Sequence, residues 1–182
     1  MAHQNKIGFN DTQIYITGDS AGGELYVACG LTGNKHQTRH LFPMYAAIDI
    51  TDTSKTIYHW QYSDYDMDPT DEPFIHARLN KFIYVNNVIR LLYPGIENIE
   101  NPLISPVYSH DFSKSPDITI IEAEFDYYLQ SNKYFVQKLR QAGKNVEEVF
   151  YKGMGHGFLD SSGSCNQSDD LLQLIASEIN NN

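Results

Sequence analysis

Gly18-Asp19-Ser20-Ala21-Gly22-Gly23 decides how this chain is read. The six residues follow Gln13 to Thr17, where Ile14 and Ile16 alternate with polar or aromatic neighbours at the period of a short strand. They precede a helical pattern in which Ala21, Leu25, Ala28 and Cys29 share a face, with Gly30 and Gly33 at its end. A G-x-S-x-G pattern between strand and helix is the setting in which a serine sits on a sharp turn with its hydroxyl exposed. So tight a turn strains the backbone at the serine, and side chains two positions away on either side would collide with the neighbouring strand and helix. Glycine at 18 and 22 is expected to remove that collision. The helix start behind Ser20 offers backbone N–H groups and a positive dipole end to a developing oxyanion, with the Ala21 N–H as the natural donor.

Working outward, Leu41 to Ile50 predicts a second strand with Pro43 near its start. Ile118 to Ile121 is a β-branched run of the kind covered on both faces in a parallel sheet, and Val146 to Tyr151 predicts a fourth strand. Between these two, Tyr128 to Ala142 places Tyr128, Phe135, Leu139 and Ala142 on one helical face, and Gly143 supplies the stop. Ser168, Asp169 and Asp170 predict a helix start before Leu171, Leu172, Ile175 and Ile179. Strands alternating with helices imply an α/β fold with a parallel sheet of about four strands flanked by helices. The exception is Thr51 to Ser105, rich in Tyr, Asp and Pro, which reads as a cap-like insertion over the sheet. Its clearest helix is predicted over Leu79 to Leu92, with an apolar stripe of Leu79, Phe82, Val85, Ile89 and Leu92 that Pro94 and Gly95 terminate. That stripe is read as packing, or as one wall of a substrate pocket.

The 182 residues, 41% hydrophobic, suffice for one domain. Thirteen basic residues against 23 acidic ones give a net charge of −10, and the basic residues are scattered, which argues against nucleic acid or an anionic membrane as partner. No apolar run approaches the ~18 residues of a membrane span. Cys29 and Cys165 are too few for a disulfide scaffold, so a reducing, cytoplasmic compartment is expected.

A serine hydroxyl is a weak nucleophile at neutral pH and needs a histidine base oriented by a carboxylate. Of seven histidines, His156 stands apart in Gly153-Met154-Gly155-His156-Gly157-Phe158, just after the last predicted strand. Asp126 follows the Ile118 to Ile121 strand in the same way. Glu122 and Glu124 precede it and are weaker candidates for the acid, read mainly as strand-end charges. The acidic run Asp64, Asp66, Asp68 and Asp71 lacks the glycine and bidentate glutamate of a calcium loop, having Pro69 and Ile75 there, and is read as a solvated loop. His36 and His40 lack a helical pattern and are not read as a metal site. His59, Trp60, Tyr62 and Tyr65 are read as packing aromatics, or as an acyl pocket.

Together, GDSAGG, NPLISPVYS, EAEFDYYLQ, KLRQAGKNV and FYKGMGHGF resemble, in order, the hormone-sensitive-lipase-like branch of the α/β-hydrolases, which includes carboxylesterases. The resemblance runs from about Asn10 to Phe158 and through a final helix. It implies a serine hydrolase acting on carboxylic esters of small to medium acyl size, with Ser20 as nucleophile, His156 as base, Asp126 as acid, Ala21 in the oxyanion hole, and Gly18, Asp19, Gly22 and Gly23 forming the elbow. No metal or organic cofactor is implied; the partner is a small-molecule ester.

Two departures stand out. The family's frequent second aspartate, four positions after the acid, is Gln130 here, and its His-Gly-Gly oxyanion loop does not occur in these 182 residues. Only nineteen residues precede Ser20, so the chain is expected to hold a single, incomplete α/β-hydrolase domain, the C-terminal half with its cap insertion. The alternative is an impaired remnant or ligand-binding module that keeps the half-fold. The first strand is then expected at an apolar sheet edge, stabilised by a missing N-terminal segment or a homo-oligomeric partner. Size exclusion and urea unfolding of the 182-residue chain check this expectation: self-association or a broad transition is expected, and a cooperative monomeric transition overturns it.

Overall fold

The computed structural model describes residues 8, 14–33, 38–92 and 98–181. Four strands, β1 (Ile14–Asp19), β2 (Thr38–Met44), β3 (Asp117–Phe125) and β4 (Val146–Gly155), form one sheet in the order β1-β2-β3-β4. Every neighbouring pair is parallel. The helices are α1 (Ser20–Thr32), α2 (Glu72–Leu92), α3 (Leu129–Gln141) and α4 (Asn166–Asn181). Parallel neighbours need long crossovers, and α1 and α3 supply two of them.

The alternation within β3 divides the interior. Ile118 and Ile120 face a core with Val27 and Leu31 of α1 and Phe135, Val136 and Leu139 of α3. Ile121 and Ala123 face the opposite core, with Tyr45, Phe158 and Leu171 and Ile175 of α4. A third cluster, Ala47, Tyr65, Ile75, Leu79, Tyr127, Tyr128 and Leu129, seats the insertion over the C-terminal ends of the strands. The insertion's two ends meet: the Ile50 N–H donates to Ser105 Oγ at 3.3 Å, and the Val107 N–H to the Ile48 carbonyl at 3.2 Å.

Several expectations shift. The apolar face read for α1 is not the buried one: Leu25 is 59% exposed and Ala21 and Cys29 are also exposed, whereas Gly23, Val27, Ala28, Gly30 and Leu31 face the sheet. The cause is close packing through glycines, which carry no hydrophobic signal. A Cβ at Gly30 would lie 2.5 Å from Leu41 Cδ1. The second strand stops at Met44 rather than Ile50, and residues 45–50 continue as buried non-strand chain toward the insertion. Pro43 lies within β2, and no β2–β3 pairing is made at Phe42 or Pro43, since proline has no N–H to give. Helix α2 begins at Glu72, seven residues before the expected start, with Pro73 in its first turn where the missing N–H costs nothing. Leu79 is fully buried in the stripe, but Leu92 is 71% exposed. Pro94 and Gly95 lie outside the described residues, as does His36. Helix α3 ends as read, with Gly143 at φ 71° and the Lys144 N–H returning to the Leu139 carbonyl.

Glu122 is the unusual buried group, 1% exposed on β3. Burial, reinforced by the Glu148 carboxylate, lifts its carboxyl from 4.5 to about 8. The folded protein therefore holds this proton more tightly than the unfolded chain does. The stability it contributes is complete below about pH 4.5 and is lost as pH rises to about 8, at up to roughly 1.4 kcal/mol per pH unit. Glu122→Gln is expected to flatten that slope and to raise stability above pH 7, as read by urea unfolding between pH 5 and 8.5.

Candidate active site

Ser20 sits where β1 ends and α1 begins, at φ 51°, in the left-handed region that a residue with a Cβ enters only under constraint. The Ala47 N–H donates to the Ser20 carbonyl at 3.0 Å and holds the turn from the far side. The steric reason for glycine at 18 is visible: a Cβ there would lie 2.4 Å from the Tyr26 ring and 2.9 Å from the Gly22 carbonyl carbon. The reason proposed for Gly22 is corrected. A Cβ on Gly22 meets nothing within 4 Å among the described residues, whereas one on Gly23 would lie 2.8 Å from Ala46 Cβ and 3.0 Å from the Gly18 carbonyl oxygen. Close approach of helix to sheet is therefore enforced at 18 and 23.

Asp126 follows β3 and His156 follows β4, so parallel pairing of the two strands brings them to the same edge as Ser20. His156 Nε2 lies 2.8 Å from Ser20 Oγ, and Nδ1 lies 2.9 Å from Asp126 Oδ2. An ionised carboxylate only accepts, so Nδ1 carries the hydrogen toward Asp126 and Nε2 is left to accept from the serine hydroxyl. The second carboxylate oxygen accepts the Tyr128 N–H at 2.9 Å. Asp126 is 1% and His156 6% exposed. Three rings enclose the imidazole: Phe82 at 4.1 Å between centroids, Tyr45 at 5.1 Å and Tyr128 at 5.5 Å.

Glu122 and Glu124 make no bond to His156; the latter accepts the Gly153 N–H at 2.7 Å. His40 is bonded to Thr119 at 2.8 Å, and its burial lowers its pKa. Asp68 caps a turn, accepting the Thr70 N–H. Among the described residues no group of three His, Cys, Asp or Glu side chains could hold a metal ion. None of their helices is long and apolar enough to cross a membrane.

A cavity of about 860 Å³ opens beside Ser20 and His156, walled by Phe74, Arg78 and Phe82 of α2 and by Phe125 and Met154. A second, of about 370 Å³, begins at Ala21 and runs between Leu25, Ile89 and Leu103. Glu24 borders it, half-buried, and burial raises its carboxyl to about 7. Trp60, Tyr62 and Tyr65 line neither; they pack on one another and on the underside of α2. Phe82, named in the apolar stripe, lines the larger cavity; Arg78 carries no signal in the sequence, although its separation of four from Phe82 on a helix puts the two on one face.

A model described as the α/β-hydrolase fold matches residues 1–160. The chain belongs to that family. An arylesterase from Saccharolobus solfataricus is 22% identical over 178 residues, which is 96% of this chain and 53% of the relative. Among solved structures, a hyperthermophilic esterase from Pyrobaculum calidifontis superposes with a TM-score of 0.76 at 21% identity, covering 98% of this chain and 55% of that one. A hormone-sensitive lipase from a metagenome library does so at 0.72 and 26% identity, covering 98% and 56%. The chain thus spans about half the length of the relatives it matches.

The two glycines at the elbow separate by substitution. Gly23→Ala is expected to destabilise the protein by about 1–3 kcal/mol through overpacking against Ala46. Gly22→Ala, with open space and a helical backbone, is expected to be neutral or stabilising by up to ~1 kcal/mol. Paired thermal melts check the difference.

Proposed function

We propose that this chain is a serine hydrolase cleaving carboxylic esters of small to medium acyl size. The observation that carries the reading is the continuous hydrogen-bonded line from Ser20 Oγ through the His156 ring to Asp126, buried at one edge of the sheet. Ser20 attacks the ester carbonyl as His156 Nε2 takes its proton. Asp126 holds the ring in the required tautomer and stabilises the imidazolium that forms. The Ala21 N–H, among the leading N–H groups of α1 that lack an intrahelical acceptor, shares the oxyanion. His156 then protonates the departing alcohol, and water attacks the acyl-enzyme by the same route in reverse. The 860 Å³ cavity falls within the usual size of a small-molecule site, and its Phe74, Phe82 and Phe125 walls suit an apolar acyl or alcohol group. In this reading residues 1–182 belong to a single α/β-hydrolase domain, part of which they supply, with about 51–105 a cap-like insertion, and the free cysteines fit a cytoplasmic setting.

The second reading, an impaired hydrolase or ligand-binding module, is favoured by one observation: no His-Gly-Gly occurs in these residues. Loss of a single oxyanion donor costs ~10²–10³ in turnover. Strand β1 also lies at the edge of the described sheet, where a segment outside these residues or a second copy would pair.

Labelling with a fluorophosphonate separates the two. The folded chain is expected to label at Ser20 and to lose labelling in Ser20→Ala, while Asp126→Asn lowers turnover of a short-chain nitrophenyl ester by on the order of 10⁴. Folded protein that does not label overturns the enzyme reading.

A further inference from the structure

The segment that carries His156 is soft by composition. Glycines occupy 153, 155 and 157, and two of them, Gly153 at φ 72° and Gly157 at φ 78°, sit where other residues are strained. Glycine on both sides of the base gives its backbone wide conformational freedom beyond the last β3–β4 pair, at Phe125 and Gly155. A hydrogen bond from Nδ1 to Asp126 fixes one atom of the ring, not the main chain that carries it. The His156 main chain, just beyond the end of β4, needs a restraint of its own for the distance to Ser20 to be kept.

The missing restraint comes from the insertion. Arg78 of α2 donates from Nη2 to the His156 carbonyl at 2.9 Å. Phe82, one turn further along, lies against the imidazole itself. Gly155 makes room for this contact, since a Cβ there would come within 3.3 Å of Arg78 Nε. Asp126 is held in the same manner: the buried Tyr65 hydroxyl donates to its carbonyl at 2.8 Å and in turn accepts the Trp60 ring N–H. Acid and base thus each have their main-chain oxygen bonded to a side chain of residues 51–105, more than sixty positions away in sequence.

We propose that Arg78 and Tyr65 are positioning residues, through which the docked insertion sets the spacing of Asp126 and His156 and hence the reach of His156 to Ser20. The proposal rests on the hydrolase reading above. Neither residue touches the reacting atoms. Removing either contact lowers the population of the reactive geometry, so kcat falls far more than KM changes.

Four proteins test it: the 182-residue chain, Arg78→Ala, Tyr65→Phe and Ser20→Ala. Each is read by fluorophosphonate labelling rate, nitrophenyl ester kinetics and the downfield proton resonance of the His156 to Asp126 hydrogen bond. Arg78→Ala is expected to label and turn over roughly 10- to 100-fold more slowly with KM within about twofold. Its downfield resonance broadens, and millimolar methylguanidinium restores part of the rate. Tyr65→Phe keeps the ring in its aromatic cluster and is expected to show a smaller loss of the same kind. If Arg78→Ala does not fold, Tyr65→Phe decides alone. A raised KM with unchanged kcat in Arg78→Ala assigns that residue to substrate binding and overturns the proposal, as does wild-type labelling in both variants. A wild-type chain that does not label above Ser20→Ala overturns the hydrolase reading, and the proposal falls with it.

Discussion

The positive φ at Ser20 is the constraint from which the rest of the arrangement follows. A chain that leaves a strand and enters a helix with no intervening residue must fold that helix back against the sheet almost at once. Contact at so short a range excludes side chains, which is why Gly18, Gly23 and Gly30 face Tyr26, Ala46 and Leu41 at distances no Cβ tolerates. The helix axis is thereby fixed, its first N–H groups are aimed past the serine, and the hydroxyl stands clear of the sheet edge. Ala47, in the buried chain that follows β2, secures the turn from outside the elbow.

The candidate site is more legible in the sequence than the packing is. Ser20, Asp126 and His156 each directly follow a strand, and parallel strands deliver such residues to a common edge whatever lies between them. That inference needs only strand positions and chain direction. Burial on α1 was misread because hydrophobic periodicity detects faces made of large apolar side chains, whereas this face is made of their absence. The start of α2 was missed because the Asp- and Pro-rich run before Leu79 has the composition of a loop. It becomes helical because Asp68 presents its carbonyl to the N–H groups of Asp71 and Glu72. The roles of Tyr65 and Arg78 had no sequence signal, since they act on backbone oxygens far along the chain.

The insertion is tied down by polar contacts as well as by its apolar cluster. Buried Asp49 accepts the Thr51 N–H and the Tyr58 hydroxyl. Asn86 of α2 donates to the Thr51 carbonyl at 3.0 Å, and Thr53 is bonded to Tyr127 at 2.7 Å. Buried hydroxyls and amides are costly when unpaired, so these contacts favour one seating of the insertion over others of similar hydrophobic area.

The order β1-β2-β3-β4 has a consequence for how the molecule loosens. Strands β2 and β3 are paired on both sides, while β1, within the described sheet, is paired only with β2. Backbone amides of a singly paired strand open to solvent at lower free energy than those of a central one. Within the described sheet β4 is likewise paired on one side only, so Ser20 and His156 each hang from a singly paired strand, whereas Asp126 hangs from β3. Local fraying of either outer strand, well short of global unfolding, therefore suffices to separate Ser20 from His156 while Asp126 remains in place.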